Sequence, residues 1–425
     1  MQWGTSRRGK GMQQKVLILS YHFPPDPSVG GQRIFRFYKY LSRFGYEPIV
    51  VAACADQPPP MPNVHYIRDR SARFWQDPNA AAAGLPFATQ VERVARLLVL
   101  PGQVGLEWSL SAGDLCAELI RQHKPAALIS SYPPLAVSIA AERALRQADC
   151  PWIADLRDPM SVLGATQWLG RLLSERFEKR MQQASAVIAN CDTALADILS
   201  RRPSLQPKAF AIWNGFDPDQ VQSALPVDDH GKRRIVHSGS LYDGRNPNLV
   251  LRSLQRLRNR GLALDVVVEL VGDVSASSGV DAALVDIGVQ QGWIVTTGPL
   301  PKAEADRRSR SAHGLLLLQP QTTVSVPAKL FDYVRIGRPV LAIMAPGSPI
   351  EDLLVRAGLA HLSVYPNDRE DVIDTKIEQF LQLDSTARPL SEDFQRDFNA
   401  VNQAGMLASI IRRIQASGPN EPLGT

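Results

Sequence analysis

Long hydrophobic runs are missing from this 425-residue chain. The greasiest stretch, Leu315 to Leu318, is strand length, whereas a membrane-spanning helix needs roughly 20 apolar residues, so no spanning segment is expected. Cysteine is scarce. Cys54, Cys116, Cys150 and Cys191 form no C-x-x-C pair, which speaks against a disulfide framework or a zinc ribbon and for a reducing, cytoplasmic compartment. No G-x-G-x-x-G follows the first strand, which disfavours a nicotinamide-dependent oxidoreductase. The histidines show no ligand spacing, and the one D-x-D string, Asp217-Pro218-Asp219, lies in a proline-containing turn; no metal site is expected. Arg7, Arg8 and Lys10 near the start are followed by no apolar segment fit for a secretion signal. Residues 1–12 and the Gly/Pro-rich 417–425 are expected to be flexible ends.

Apolar residues make up 44% and charged residues 21%, globular proportions in a chain too long for one ordinary core, so two domains are expected. Charge is uneven between them: residues 1–205 hold 24 Lys+Arg against 17 Asp+Glu, and residues 206–425 hold 23 against 25. A basic front half fits an anionic partner, either a phosphate-bearing acceptor or an acidic lipid surface on which each Lys or Arg is worth about 1 kcal/mol. Solvated arginines are the plain alternative.

Short β-branched runs alternate with longer helical patterns: Val16 to Leu19, Ile49 to Ala53, Ala126 to Ile129, Trp152 to Ala154 and Ala186 to Ala189. A second set runs through Ala209 to Trp213, Ile235 to His237, Val266 to Val271, Ile294 to Thr296, Leu315 to Leu318 and Val340 to Ile343. This is the pattern of buried parallel strands with crossover helices, so the expected fold is α/β, two Rossmann-like doubly wound domains facing a cleft. The polar, proline-punctuated Arg202 to Pro207 sets the boundary. The domains are then 13–205 and 206–395, with a helix over 396–416 returning to the first.

Ligands of such sheets bind beyond the carboxyl ends of the strands. After the first strand, Gly30 and Gly31 stand where a helix is expected to begin near Gln32, flanked by Arg33 and Arg36; backbone N–H groups and the helix dipole there suit an anion. Ser130-Ser131-Tyr132-Pro133-Pro134 and Asp155-Leu156-Arg157-Asp158-Pro159 follow two more strands. Their hydroxyls and charges would converge on the cleft, Asp158 orienting an attacking hydroxyl and Arg157 holding phosphate. Alternatively, Arg157 merely pins its loop by pairing with Asp155 or Asp158.

In the second half, Gly239-Ser240-Leu241-Tyr242-Asp243-Gly244-Arg245-Asn246-Pro247 separates a strand from a helix that Pro247 should open with Asn246 as its cap. Arg245 beside that helix start calls for an anion. Pro327 should likewise open a helix closed by Gly337, putting Lys329 in the first turn, where it opposes the dipole by roughly 0.3 to 1 kcal/mol unless a diphosphate compensates. Asp332 shares its face and could hold ribose hydroxyls; an i,i+3 Lys329–Asp332 salt bridge is the bland reading. Gly272, Ser325 and Leu330 complete the expected donor contacts.

As an ordered set these pieces resemble family-four glycosyltransferases of the bacterial surface-polysaccharide type: Ser20-Tyr21-His22-Phe23-Pro24-Pro25 with Gly30-Gly31, Ser131 to Pro134, Asp155 to Pro159, Asn214-Gly215-Phe216-Asp217, Gly239 to Tyr242 with Arg245, and Pro327 to Tyr333. The resemblance implies a GT-B fold and a hexosyl transfer from a nucleoside-diphosphate sugar co-substrate to a glycan or lipid-linked acceptor. Retention of configuration is implied, with no metal, no other cofactor and no nucleic acid. It implies that Arg245 holds the diphosphate and Asp332 the ribose, with the acceptor on the first domain; work at the inner face of the plasma membrane, as a peripheral protein, would fit the basic front half. The chain departs from the family at Val324, where many relatives carry a glutamate, at Ser240, often arginine, and at Arg157, often histidine. A nucleotide-sugar epimerase or a catalytically inactive scaffold therefore stand as alternatives.

Overall fold

The structure is a computed structural model that describes residues 13–26, 29–54, 58, 60–69, 105–158, 160, 168–220, 223–227, 231–242, 244–274 and 276–416. The expected flexible ends, Pro159, Asp243 and the Asp228 to His230 stretch lie outside the described residues. Two compact units are present, one of residues 1–217 with 400–425 and one of residues 218–399.

The first unit runs β1 (Gln14–Ser20), α1 (Val29–Tyr40), β2 (Tyr46–Cys54), β3 (Val64–Arg68), α2 (Leu106–His123), β4 (Leu128–Tyr132), α3 (Leu135–Leu145), β5 (Trp152–Leu156), α4 (Trp168–Arg180), β6 (Ala186–Ala189), α5 (Asp192–Arg201) and β7 (Ala209–Ala211). Its parallel sheet has the order β3-β2-β1-β4-β5-β6-β7. In β1 the pleat sends Val16 and Ile18 to one face and Leu17 and Leu19 to the other. The first pair joins a core with Ile34 and Phe37 of α1, the second a core with Trp108, Ala112 and Ile120 of α2 and Ala136 and Ala140 of α3. Burial on both faces is why the strand reads as a continuous apolar run.

In the second unit the order along the chain is β8 (Arg233–Ser238), α6 (Asn248–Asn259), β9 (Val266–Val271), α7 (Ala282–Gln290), β10 (Ile294–Gly298), α8 (Lys302–Arg310), β11 (Gly314–Gln319), α9 (Lys329–Ile336), β12 (Val340–Met344), α10 (Ile350–Ala357), β13 (His361–Val364), α11 (Glu370–Leu381) and α12 (Glu392–Phe398). The sheet order is β10-β9-β8-β11-β12-β13, again parallel. The order reverses between β1 and β4 in one sheet and between β8 and β11 in the other. Crevices open at such switch points. The last helix, α13 (Ala400–Ala416), places Ala404, Leu407, Ala408 and Ile411 in the α1 face of the first unit's core.

The boundary differs from the sequence expectation. Residues 203–208 form a short 3-10 turn, and Ala209–Ala211 pairs with β6 in the first sheet rather than opening the second. Pro203 and Pro207 stiffen a connection inside a unit, and the division falls after Asp217. That carboxylate is buried, accepting from Lys39 Nζ at 2.9 Å and from the Tyr40 hydroxyl at 2.5 Å. The D-x-D string thus begins with an anchor onto α1.

Candidate active site

In the first unit, most residues expected to meet an acceptor are spent on the fold. Helix α1 starts at Val29, earlier than Gln32, so Gly30 and Gly31 lie within its first turn. Arg33 does not flank an anion: it is 4% exposed, bonds Asp155 Oδ1 at 2.8 Å through Nη2, and donates through Nη1 to the carbonyls of Ile212 and Trp213 at 2.8 and 3.1 Å. The Ser131 hydroxyl is likewise taken, donating to Asp155 Oδ2 at 2.9 Å in a fully buried position. Tyr132 is buried in an apolar cluster with Leu135 and Met181, and burial followed by the Asp158 charge raises its phenol well above the usual range. Arg33 and Ser131 thus spend their polar groups inside the first unit, and Tyr132 is buried beside them.

Arg157 pairs with neither of the partners expected from sequence. Asp155 belongs to Arg33, and the Arg157 guanidinium donates to the Pro133 carbonyl and packs so tightly over Gly30 that a Cβ there would collide with it. Burial, before any neighbouring charge, lowers the arginine below its ordinary range. The Gly30 turn and Arg157 are therefore brought together, while Asp158 stands exposed on the same loop.

In the second unit the loops after β8, β9 and β11 meet. Gly239 and Gly272 both take positive φ, +121° and +131°, and a Cβ on Gly272 would stand 2.7 Å from the Gly239 carbonyl carbon. Only glycine permits backbones this close in that conformation. Ser240, next along, is exposed. Arg245 stacks over the Tyr242 ring at 4.4 Å and donates to its hydroxyl, which fixes the guanidinium beside the loop. Helix α6 begins at Asn248, one residue after Pro247, and Asn246 Oδ1 accepts from the Asn248 amide at 3.3 Å.

Lys329 is the first residue of α9, two after Pro327. It turns from Asp332 to the Gly239 loop, where a Cβ on Gly239 would stand 2.7 Å from its Nζ. Burial and then the Arg245 charge push the Lys329 ammonium down to about 7. A buried lysine whose charge is depressed by a neighbouring arginine makes a place where a dianion is favoured. Ser325 Oγ accepts from Gln319 at 3.0 Å, and Asp332 sits partly exposed in the first turn of α9. Leu330 is corrected: its side chain is in the core and its amide is bonded to the Pro327 carbonyl at 3.0 Å, which leaves it nothing to offer a ligand.

His237, at the end of β8, was not assigned a role by sequence reasoning, although it lies two residues before the Gly239 turn. Its Nε2 is 3.3 Å from Lys329 Nζ. A histidine directly after the buried Ile235-Val236 pair was the available signal. The Tyr333 hydroxyl, accepting from the Ser238 amide at 3.0 Å, was equally hidden.

Residues 30–220 match the sequence model of Glycosyltransferase Family 4. No curated protein matches the chain. Among solved structures, sucrose-phosphate synthase from Thermosynechococcus elongatus superimposes with a TM-score of 0.66 at 15% identity, covering 95% of this chain and 100% of that one. HepE of Anabaena, solved in complex with UDP and glucose, gives 0.61 at 16%, covering 94% and 99%. The lipopolysaccharide outer core galactosyltransferase WaaB gives 0.51 at 10%, covering 93% and 99%. Residues 30–220 are thus similar to family-four glycosyltransferases, and the chain shares along its length the two-sheet GT-B fold of solved glycosyltransferases.

Proposed function

We propose that the chain transfers a sugar, with retention of configuration and without a metal, from a nucleoside-diphosphate sugar to a glycan or lipid-linked acceptor in the synthesis of a cell-surface polysaccharide. The observation that carries this is the convergence of Arg245 and Lys329 on the Gly239–Gly272 turn: two cations beside backbone that only glycine allows, built for a diphosphate. HepE, similar in fold, is known with UDP and glucose, and WaaB acts on lipopolysaccharide, which supports a nucleotide donor and a surface-glycan acceptor.

As the anomeric carbon–oxygen bond breaks, negative charge grows on the leaving diphosphate. Arg245 and Lys329 would stabilise that charge more than they stabilise the bound donor, which is what lowers a barrier. Asp332 would hold the ribose, and the leaving phosphate would take the acceptor's proton on the same face of the sugar. No protein nucleophile is required. Work at the inner face of the plasma membrane, as a peripheral protein, is part of the same reading and rests on the excess of Lys and Arg in residues 1–205.

Arg245→Ala and Lys329→Ala should each cut transfer by about 100-fold, the size of one lost oxyanion-stabilising group. The assay is nucleotide release from a panel of nucleoside-diphosphate sugars, with and without acceptor glycans. Parental rates in both variants would overturn the donor site.

A further inference from the structure

The cation that opens α9 is held by a partner with no assigned part in sugar transfer. His237 is 1% exposed at the end of β8, with Nδ1 2.9 Å from the Leu316 carbonyl and Nε2 3.3 Å from Lys329 Nζ. A carbonyl only accepts, so Nδ1 carries the ring proton and Nε2 presents its lone pair to the lysine. Protonating both nitrogens would place two buried cations side by side. Burial, and after it the Lys329 charge, keeps the imidazole well below its usual range. The lysine head is then bounded on one side by the imidazole lone pair and on another by the Gly239 backbone, where any Cβ would stand 2.7 Å from Nζ.

We propose that His237 is a positioning residue: through Nε2 it holds the Lys329 ammonium against the Gly239 turn, where the donor's diphosphate arrives. This rests on the reading of Lys329 as a donor cation given above. A histidine needed only for packing would require no acceptor aimed at the lysine; this one fixes both the place and the protonation of the ammonium. The titratable and charged groups that act on Lys329 are His237 on β8, 3.3 Å away, and Arg245 on the loop after it. Burial and then the Arg245 charge push the ammonium toward losing its proton near neutrality, and a lone pair that accepts from the charged form works against that loss. Affinity for a diphosphate should therefore fall as pH rises past about 7, and removing the lone pair should move that fall to lower pH.

The probe is inorganic pyrophosphate, which needs no choice of base or sugar, titrated calorimetrically into the full chain from pH 6 to 9. Comparing proteins at each pH cancels the probe's own ionisation. His237→Asn keeps a donor for the Leu316 carbonyl but does not reach the lysine; it should weaken binding about tenfold at pH 7.5, the loss of one ordinary hydrogen bond, and shift the fall to lower pH. His237→Gln, whose carbonyl can take the place of Nε2, should restore both. Lys329→Arg should flatten the profile. Parental affinity and profile in His237→Asn would overturn the positioning role, whereas parental affinity in Lys329→Ala would overturn the donor site itself. Should His237→Asn not fold, imidazole nitrogen shifts of the parent protein decide: a Nδ1–H ring whose Nε2 signal moves on adding pyrophosphate supports the proposal, and a Nε2–H ring overturns it.

Discussion

Lys329 gives the residue scale its sharpest consequence for stability. Its folded-state ammonium titrates at about 7 against an ordinary value of 10.5. Between those values the unfolded chain binds the proton and the folded chain does not, so stability of the unliganded protein rises with pH across that window and is forfeited as pH falls to 7. Lys329→Met should flatten this slope in urea denaturation followed from pH 7 to 10, and a variant that keeps the parental slope would assign it to other groups. Arg33 yields a second expectation. Arg33→Ala leaves the Asp155 carboxylate buried without its partner and should cost about 3–5 kcal/mol, read from the same titrations, with pyrophosphate binding by the folded fraction unchanged. The placement of a candidate residue was legible where it and its helix start are adjacent in sequence, as at Arg245 and Lys329. It was not legible where partners are far apart: Arg33 meets Asp155 because β4 and β5 follow β1 in the sheet, and His237 meets Lys329 because β8 lies beside β11. Nothing in either local segment announces these pairs.

At the scale of elements, apolar strands buried on both faces were readable, as was the edge strand β10, whereas the edge strands β3 and β13 were not. Residues Val266–Val271 appear as β9 with the expected limits. β3, Val-His-Tyr-Ile-Arg, and β13, His-Leu-Ser-Val, close the sheets at an edge and carry the mixed polarity of half-covered strands, which the search for continuous apolar runs passes over. β7 was seen but placed in the wrong sheet, because three residues carry no information about the strand they will pair with. The loops obey a stricter rule than the strands they follow. Gly272→Ala would need both a positive φ and a Cβ at 2.7 Å from the Gly239 carbonyl carbon, so the β8 and β9 loops must part. Pyrophosphate binding should drop at least tenfold while the far-ultraviolet circular dichroism stays parental; retained affinity would mean that the two loops need not touch to form the site.

On the scale of the whole molecule, the two units differ in how the chain builds them. Residues 218–399 are contiguous and include a complete six-stranded sheet, its apolar core, and Gly239, Arg245, Gly272 and Lys329. The first unit is assembled from both ends of the sequence. Leu407, Ile410, Ile411 and Ile414 of α13 complete its core, and at about 1.5–3 kcal/mol for each buried aliphatic side chain they are worth roughly 6–12 kcal/mol, as much as a typical domain's entire margin of 5–15. A fragment of residues 218–399 should therefore unfold in one cooperative transition and bind pyrophosphate within about threefold of the full chain, whereas a fragment ending at Asp217 should lack a cooperative transition until a peptide of residues 400–416 is added. Because the missing side chains are apolar, rescue should saturate with peptide and weaken on substituting Leu407 and Ile411 by alanine, each such truncation costing about 2–5 kcal/mol. A fragment ending at Asp217 that unfolds cooperatively on its own would show that the α13 face of the core is dispensable. A folded 218–399 fragment that ignores pyrophosphate would show that the diphosphate grip needs groups outside that unit.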